Sequence, residues 1–544
     1  MCNLLINISC INSHGLLLIM NQSAAMTIDK QSRYDRQLRL WGNSGQSNLE
    51  SSHICLINAT STGSELLKNL VLPGIGEFTI IDNTEVTDSS LSGNFFLAHQ
   101  DLGDNTATAM VRELKELNSE VVGNAIENSL TNVLKNESVQ FWDSFNIVII
   151  SSFVPEEDLN RLKDILWEKN IPLFLVNTMG FYGSLQLILK ETTVIETHDP
   201  AKFFDLRIDH PWPELQEYVD SIKLDELDDT EHAHVPYIVI FIKALQSWKT
   251  SHNGIPPKNY QEKNQFRKHV EAMSRNINYE GNFMEAIKAI HRALQVTQIP
   301  QAILELFEDE NIKDENVNLT TSIFWIYIKA LKNFVGKTNQ LPLPYAVPDM
   351  ASDTVSYITL QSIYRNKAIN DQKLFTEEVI EILNSIGRTS DDINHDSILS
   401  FCKNTQFLYV TKGSKKLFNQ KMRSAVLSET DEESSDILNV HFAILAVNSY
   451  IHRFHIRPGI QDLDQVIDVF KRCYADPSSE VPDALITTFK EVLSHPSPDY
   501  HNISSLLGGI ASQEILKITT SQYTPLDNLY VFDGIHSISE KWKI

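Results

Sequence analysis

Two apolar runs and the helical segment between them constrain this chain most. SHICLINA (52–59) has the length and composition of a buried parallel strand. TGSELLKNLVLPG (62–74) then carries Leu66, Leu67, Leu70 and Val71 at helical spacing until Pro73-Gly74 stops it, and EFTIID (77–82) supplies a second strand ending on Asp82. A strand–helix–strand unit needs parallel neighbours to bury its faces. The same alternation continues in a helix at about 104–118, a strand at NIVIIS (146–151), a helix at about 156–169 and a strand at IPLFLVNT (171–178). The spacing predicts a doubly wound α/β sheet.

From about 205 the period changes. Ile238, Ile242, Leu245 and Trp248, then Phe324, Ile328, Leu331 and Phe334, then Val379, Ile382, Leu383 and Ile386 follow helical spacing. These predict a largely helical domain over 215–490. ISSLLGGIASQEILKITT (503–520) and NLYVFDG (528–534) restore the earlier style as a helix and a strand, and the paired glycines of that helix predict a close packing contact. The expected organisation is a low-charge arm over 1–28, or a start assigned too early. An α/β domain over 29–214, a helical insertion over 215–490 and a C-terminal helix and strand over 491–544 that rejoin the sheet complete it. Within the insertion, SETDEESSD (428–436) reads as a solvated acidic loop, with a phosphosite as the alternative.

A chain of 544 residues exceeds what one core organises. Its 46 basic and 70 acidic residues give a net charge of −24, which opposes nucleic acid and anionic membranes as partners. Cys2, Cys10, Cys55, Cys402 and Cys473 offer no C-x-x-C pair, so no metal cluster is expected and a reducing compartment is. The apolar stretches LLINISC and LLLIM are broken by Asn12 to Gly15 and lack a basic flank, which argues against a signal peptide or a membrane span.

The first strand leads into Asn58-Ala59-Thr60-Ser61-Thr62-Gly63. A phosphate-binding turn at this place uses one glycine for the tight turn, one for backbone approach to phosphate and one for helix-on-strand packing. Only the packing glycine, Gly63, is present. Asn58 can take a left-handed conformation and Thr60 can offer a hydroxyl, yet a β-branched Thr60 puts side-chain atoms where phosphate oxygens would sit. Asp82 could hold a ribose; the favoured reading is a turn cap.

YDRQLRLWG (34–42), LKNLVLPGIGEFTIID (67–82) and LLGGIASQEILK (506–517) resemble the adenylation fold of activating enzymes for ubiquitin-like modifiers. DLRIDHPWPEL (205–215), VPDMASDTVSYITLQSIYRNKA (347–368) and FCKN (401–404) narrow the resemblance to the regulatory subunits of neddylation-activating enzymes, over about 33–544. The resemblance implies a Rossmann-like adenylation fold with a large, mostly helical insertion. It implies an obligate heterodimer whose catalytic subunit carries ATP, magnesium, zinc and the thioester cysteine, while this chain binds no cofactor alone and has no catalytic residue of its own. A Nedd-type modifier and, through the complex, a conjugating enzyme are the further partners, in cytoplasm and nucleus.

Position by position, the resemblance implies a degenerate site. Active halves carry Asn-Arg-Gln-Phe where this chain has Ser92-Gly93-Asn94-Phe95, a lysine where it has Gly103-Asp104-Asn105-Thr106, and a magnesium-binding Asp-Asn near its Phe153-Val154-Pro155. Gly93 thus stands in the segment that has lost the arginine. Asp104 would repel phosphate. The arginine of Tyr-Asp-Arg-Gln reaches across the dimer to ATP in the family, and it matches Arg36; the other reading leaves Arg36 on a basic surface segment with Arg33 and Arg39. Two alternatives to the activating-enzyme reading are a protein-interaction scaffold with a dead nucleotide fold and, less favoured, a stand-alone nucleotide enzyme. Cys402 and Cys473 match no nucleophile motif, and Cys402, on the apolar stretch LSFCKN, reads as a packing residue; His232 and His234 read as a loop before Pro236, and His441, His452 and His455 as a helix face.

Overall fold

The computed structural model describes residues 32–198, 204–389, 393, 395–427, 436–495 and 500–544. The arm over 1–28 and all but the last residue of the acidic run 428–436 lie outside the described residues. The described residues form two compact units, those within 1–194 and 410–544, and those within 195–409.

In the first unit, α1 (Asp35–Glu50) leads into β1 (His53–Ile57), α2 (Ser61–Val71), β2 (Glu77–Ile81), α3 (Asp88–Gly93), α4 (Thr106–Leu117), β3 (Val122–Ile126), α5 (Leu130–Asn136), β4 (Ile147–Ile150), α6 (Glu156–Glu168), β5 (Leu173–Met179), β6 (Tyr182–Ile188) and β7 (Glu191–Val194). With two strands from the end of the chain, β9 (Leu529–Asp533) and β10 (Ile538–Trp542), the sheet runs β10-β9-β6-β5-β4-β1-β2-β3. The stretch from β5 to β3 is parallel, and β6, β9 and β10 extend it antiparallel. Ile57 stands level with Ile81 on one side and Ile150 on the other. The residues that follow, Asn58, Asp82 and Ser151, therefore leave the sheet together at one edge.

Alternation along the strands gives the sheet two apolar faces. Phe174 and Val176 share a core with Leu66 and Leu70 of α2, whereas Leu173 and Leu175 face Leu162 and Leu166 of α6.

The second unit is helical. Its members include α7 (Pro213–Ser221), α8 (Tyr237–Ser251), α9 (Ile323–Thr338) and α10 (Thr354–Ser385). Buried Arg207 donates to Asp205 at 3.1 Å and to the Leu341 carbonyl at 2.6 Å, and the Tyr364 hydroxyl donates to the Leu206 carbonyl at 2.5 Å. Two motifs far apart in sequence, DLRID and SIYRNKA, thus meet and hold this unit together.

Beyond β8 (Tyr409–Lys412), which pairs with β7, come α11 (Asp436–Phe454), α12 (Leu463–Tyr474), α13 (Asp483–Ser494), α14 (His501–Thr520), β9 (Leu529–Asp533) and β10 (Ile538–Trp542). The helical insertion expected over 215–490 is corrected here, because the compact helical unit is 195–409. The reason is burial. α11 to α13 turn Leu438, Phe442, Phe470 and Phe489 into a core shared with Tyr182 of β6 and Leu529 and Val531 of β9. Helical spacing could not distinguish a helix that covers a sheet from one that packs among helices.

α14 lies on α2. A Cβ on Gly508 would stand 2.9 Å from the Leu66 backbone nitrogen and 3.1 Å from the Thr62 carbonyl, so this glycine sets the helix approach. Gly509 has nothing nearer than the Asn69 amide at 4.0 Å.

Candidate functional site

In doubly wound sheets the ligand crevice opens where the strand order reverses, here between β1 and β4. This chain bridges that crevice with its own groups. Asn58 takes the left-handed conformation with φ +68°, and its amide donates to the Phe153 carbonyl at 3.0 Å. The Ser151 hydroxyl donates to the Asn58 carbonyl at 2.6 Å and accepts from the Thr60 hydroxyl at 2.9 Å. Thr60 in turn caps α2, its oxygen accepting the Gly63 N–H at 3.1 Å.

The helix N-terminus that would bind phosphate is therefore filled from within. Ser61, Thr62 and Gly63 are all buried. The Ser61 hydroxyl donates to the Gly93 carbonyl, and the Thr62 hydroxyl meets Thr178 and Ser504 at 3.0 Å each. Gly63 has the packing role its position predicts, since a Cβ there would lie 2.8 Å from Ser151 Oγ and 2.9 Å from Leu56 Cδ2.

Asp82 is a turn cap. One carboxylate oxygen accepts the Ala59 N–H at 2.6 Å and the other accepts the Thr84 N–H at 2.6 Å, with the residue 6% exposed. The Gly93 to Phe95 segment folds over the head of α2: Asn94 Oδ1 accepts from the Ser64 hydroxyl at 3.1 Å and from the Phe96 N–H at 3.0 Å, and the Phe95 ring lies 3.5 Å from that of His501. Asp104 is half-exposed beside Arg112 at 3.8 Å, and Arg112 is itself engaged by buried Asp101 and by Glu113. These residues do not fit a nucleotide. The charged side chain bonded into the turn is an anion, and the Ala59 and Gly63 N–H groups are taken by Asp82 and Thr60.

Ser151, which ties β4 to the turn through two bonds, is not singled out by the sequence. The only signal for it is a small polar residue directly after the buried strand NIVII.

Arg36 lies apart from the turn, exposed near the start of α1, and pairs with no described residue. Its neighbours are fixed. Tyr34 is 3% exposed and its hydroxyl accepts the Asn118 amide at 3.0 Å, while Arg39 pairs with Asp35 at 2.9 Å.

Among the other candidates, Cys402 is fully buried and burial pushes its thiol pKa up, as a packing residue requires. His232 pairs with Glu280 at 2.5 Å and stacks on Phe283. His441 lies on the buried face of α11, while His455 falls just past the end of that helix. His441 is 2% exposed, meets the Ser184 hydroxyl at 3.2 Å through Nδ1 and the Leu417 carbonyl at 2.9 Å through Nε2, and burial lowers its pKa to about 4. No helix of the described residues is long and apolar enough to cross a membrane.

Comparison with known proteins agrees with this geometry. The model of the ThiF family matches residues 34–544. The NEDD8-activating enzyme E1 regulatory subunit of Gallus gallus is 36% identical over 533 residues, which are 95% of this chain and 98% of that one. The subunit of Drosophila melanogaster is 35% identical over 526 residues, covering 95% and 98%. The AXR1 subunit of Arabidopsis thaliana is 33% identical over 535 residues, covering 95% and 97%. The chain thus belongs to the ThiF family and, within it, to the NEDD8-activating enzyme E1 regulatory subunits.

Proposed function

We propose that this chain is the regulatory, non-catalytic half of a heterodimeric enzyme that uses ATP to adenylate a Nedd-type modifier and load it as a thioester. The observation that carries the reading is the self-bridged turn, with Ser151 joined to Asn58 and Thr60 in a chain whose relatives bear the name of a regulatory subunit. A fold that fills its own nucleotide crevice is suited to pairing, and ATP and magnesium belong in this reading to the catalytic partner.

Arg36 is the group this chain lends. A guanidinium is always charged and forks onto phosphate oxygens, and an exposed, unpaired one on an anchored segment is available to a site on another subunit. Heterodimer, modifier and conjugating enzyme are the partners, in cytoplasm and nucleus.

Modifier-dependent ATP–pyrophosphate exchange tests this with the chain alone, the catalytic partner alone, the mixture, and the mixture with Arg36→Ala. Exchange confined to the mixture and reduced by the substitution is expected. Full activity of the mutant would leave a scaffold without a part in the chemistry, and exchange by the single chain would overturn the degenerate site.

A further inference from the structure

We propose that the first unit holds a second site, next to the bridged turn, for a small organic anion with an apolar body. A cavity of about 540 Å³ lies on the sheet face opposite α2, between α6 on one side and α11 and α12 on the other. That volume suits a small-molecule ligand, for which such sites run to roughly 300–1,000 Å³. Phe153, Leu159, Leu175, Phe418 and Ile444 give it apolar walls.

Three polar groups in those walls bond to no described residue. Asn448 Oδ1 is buried and accepts no hydrogen bond, and the Asn177 amide and the Ser152 hydroxyl bond to no described residue. An orphaned buried acceptor is a cost to the fold that a ligand with one hydrogen-bond donor would recover.

The charge of the cavity runs against that of the chain. Lys163, Lys415 and Lys416 line it with a single Glu156, in a protein of net charge −24. Lys415 is taken up by Asp164 at 2.7 Å. Among the described residues Lys163 has no carboxylate within ion-pair reach; its ammonium contacts the Lys415 carbonyl at 3.5 Å, and burial lowers its pKa against the opposing pull of the more distant Asp164 and Glu156. A half-buried ammonium beside an apolar wall is matched by a carboxylate or phosphate head group. Phe153 touches the bridged turn only through its carbonyl, which accepts the Asn58 amide, whereas Lys163, Asn177 and Asn448 bond to none of the turn residues and take no part in the contact proposed for Arg36.

Calorimetric titration of the full-length chain with 6-hydroxy-2-naphthoate, 6-hydroxy-2-naphthyl phosphate and neutral 6-hydroxymethyl-2-naphthol tests the site. Exposed Cys473 lines the cavity mouth, so protection of its thiol from alkylation, placed by peptide mass spectrometry, locates the bound probe. Saturable binding of the anions is expected, with the neutral probe weaker by about tenfold or more. Lys163→Met should weaken the anions by a similar factor and leave the neutral probe unchanged, while Asn448→Phe fills the cavity and removes both binding and Cys473 protection. Either order of the two anions supports the site and assigns its head group. The proposal is overturned by no saturable binding, by a neutral probe that binds as tightly as the anions, or by binding that survives Asn448→Phe in a variant with native thermal unfolding.

Discussion

The Asp82 carboxylate, at the end of β2, receives the Ala59 N–H at 2.6 Å, beside the point between β1 and β4 where the sheet reverses its strand order. With its second oxygen on the Thr84 N–H, this acid holds the turn closed. Asp82→Asn puts an amide NH2 against one of those backbone donors, at a cost of roughly 1–3 kcal/mol. Denaturant unfolding of the full chain should show that loss. Adenylation by the assembled enzyme should keep its KM for ATP; a raised KM in a fully folded variant would restore the ribose-binding role.

Restoring the missing glycines should not restore the site. In Asn58→Gly/Thr60→Gly the turn regains room, yet Ser61 and Thr62 stay buried and bonded to Gly93, Thr178 and Ser504, and Asp82 remains the charged group in the turn. A fluorescent ATP analogue titrated against the isolated variant is expected to show no saturable binding. Saturable binding would mean that glycine loss alone had closed the crevice.

The paired glycines of α14 should respond in opposite directions. Gly508→Ala places a methyl 2.9 Å from the Leu66 backbone, where no flexible atom can yield, and overpacking of this kind costs about 1–3 kcal/mol. Gly509→Ala meets open space and gains the helix propensity of alanine, about 0.5–1 kcal/mol. Thermal unfolding of the two variants should therefore move to opposite sides of the native chain.

Arg36→Ala should lower exchange by the mixture by on the order of 10- to 150-fold, the range of a charge-assisted contact. Thermal unfolding of the chain should not change, because the exposed guanidinium pairs with no described residue. Arg36→Lys keeps the charge without the fork and is expected to recover only part of the activity. Arg39→Ala, which removes an exposed pair with Asp35, serves as the control with native exchange.

Much of this architecture was legible because buried parallel strands and amphipathic helices have distinct periods. SHICLINA, EFTIID and NIVIIS became β1, β2 and β4, and the C-terminal NLYVFDG returned to the sheet as β9. β6 escaped notice because YGSLQLI is buried along its whole length and carries the polar Ser184 and Gln186 against α11 and the 415–418 segment. The turn's loss of glycines was readable residue by residue, but Ser151, its tie to β4, lies 93 positions from Asn58 and no local pattern links the two. The boundary of the helical unit failed for a related reason: α11 is apolar nearly all round, and spacing alone does not say that a sheet covers it.

His441 shows what that contact does to stability. Its ring is neutral, with Nε2–H donating to the Leu417 carbonyl and Nδ1 accepting from the Ser184 hydroxyl, and protonation of Nδ1 would break the second bond in a buried place. Burial sets its folded pKa at about 4, below the unfolded value of 6.5, so the unfolded chain binds the extra proton first. Stability from this group is complete above pH 6.5 and falls as pH drops towards 4, by up to roughly 3 kcal/mol. Urea midpoints measured between pH 7.5 and 4.5 should decline for the native chain and decline less for His441→Gln, whose amide can keep a bond to Leu417. Parallel declines for the two proteins would move the acid sensitivity to other groups.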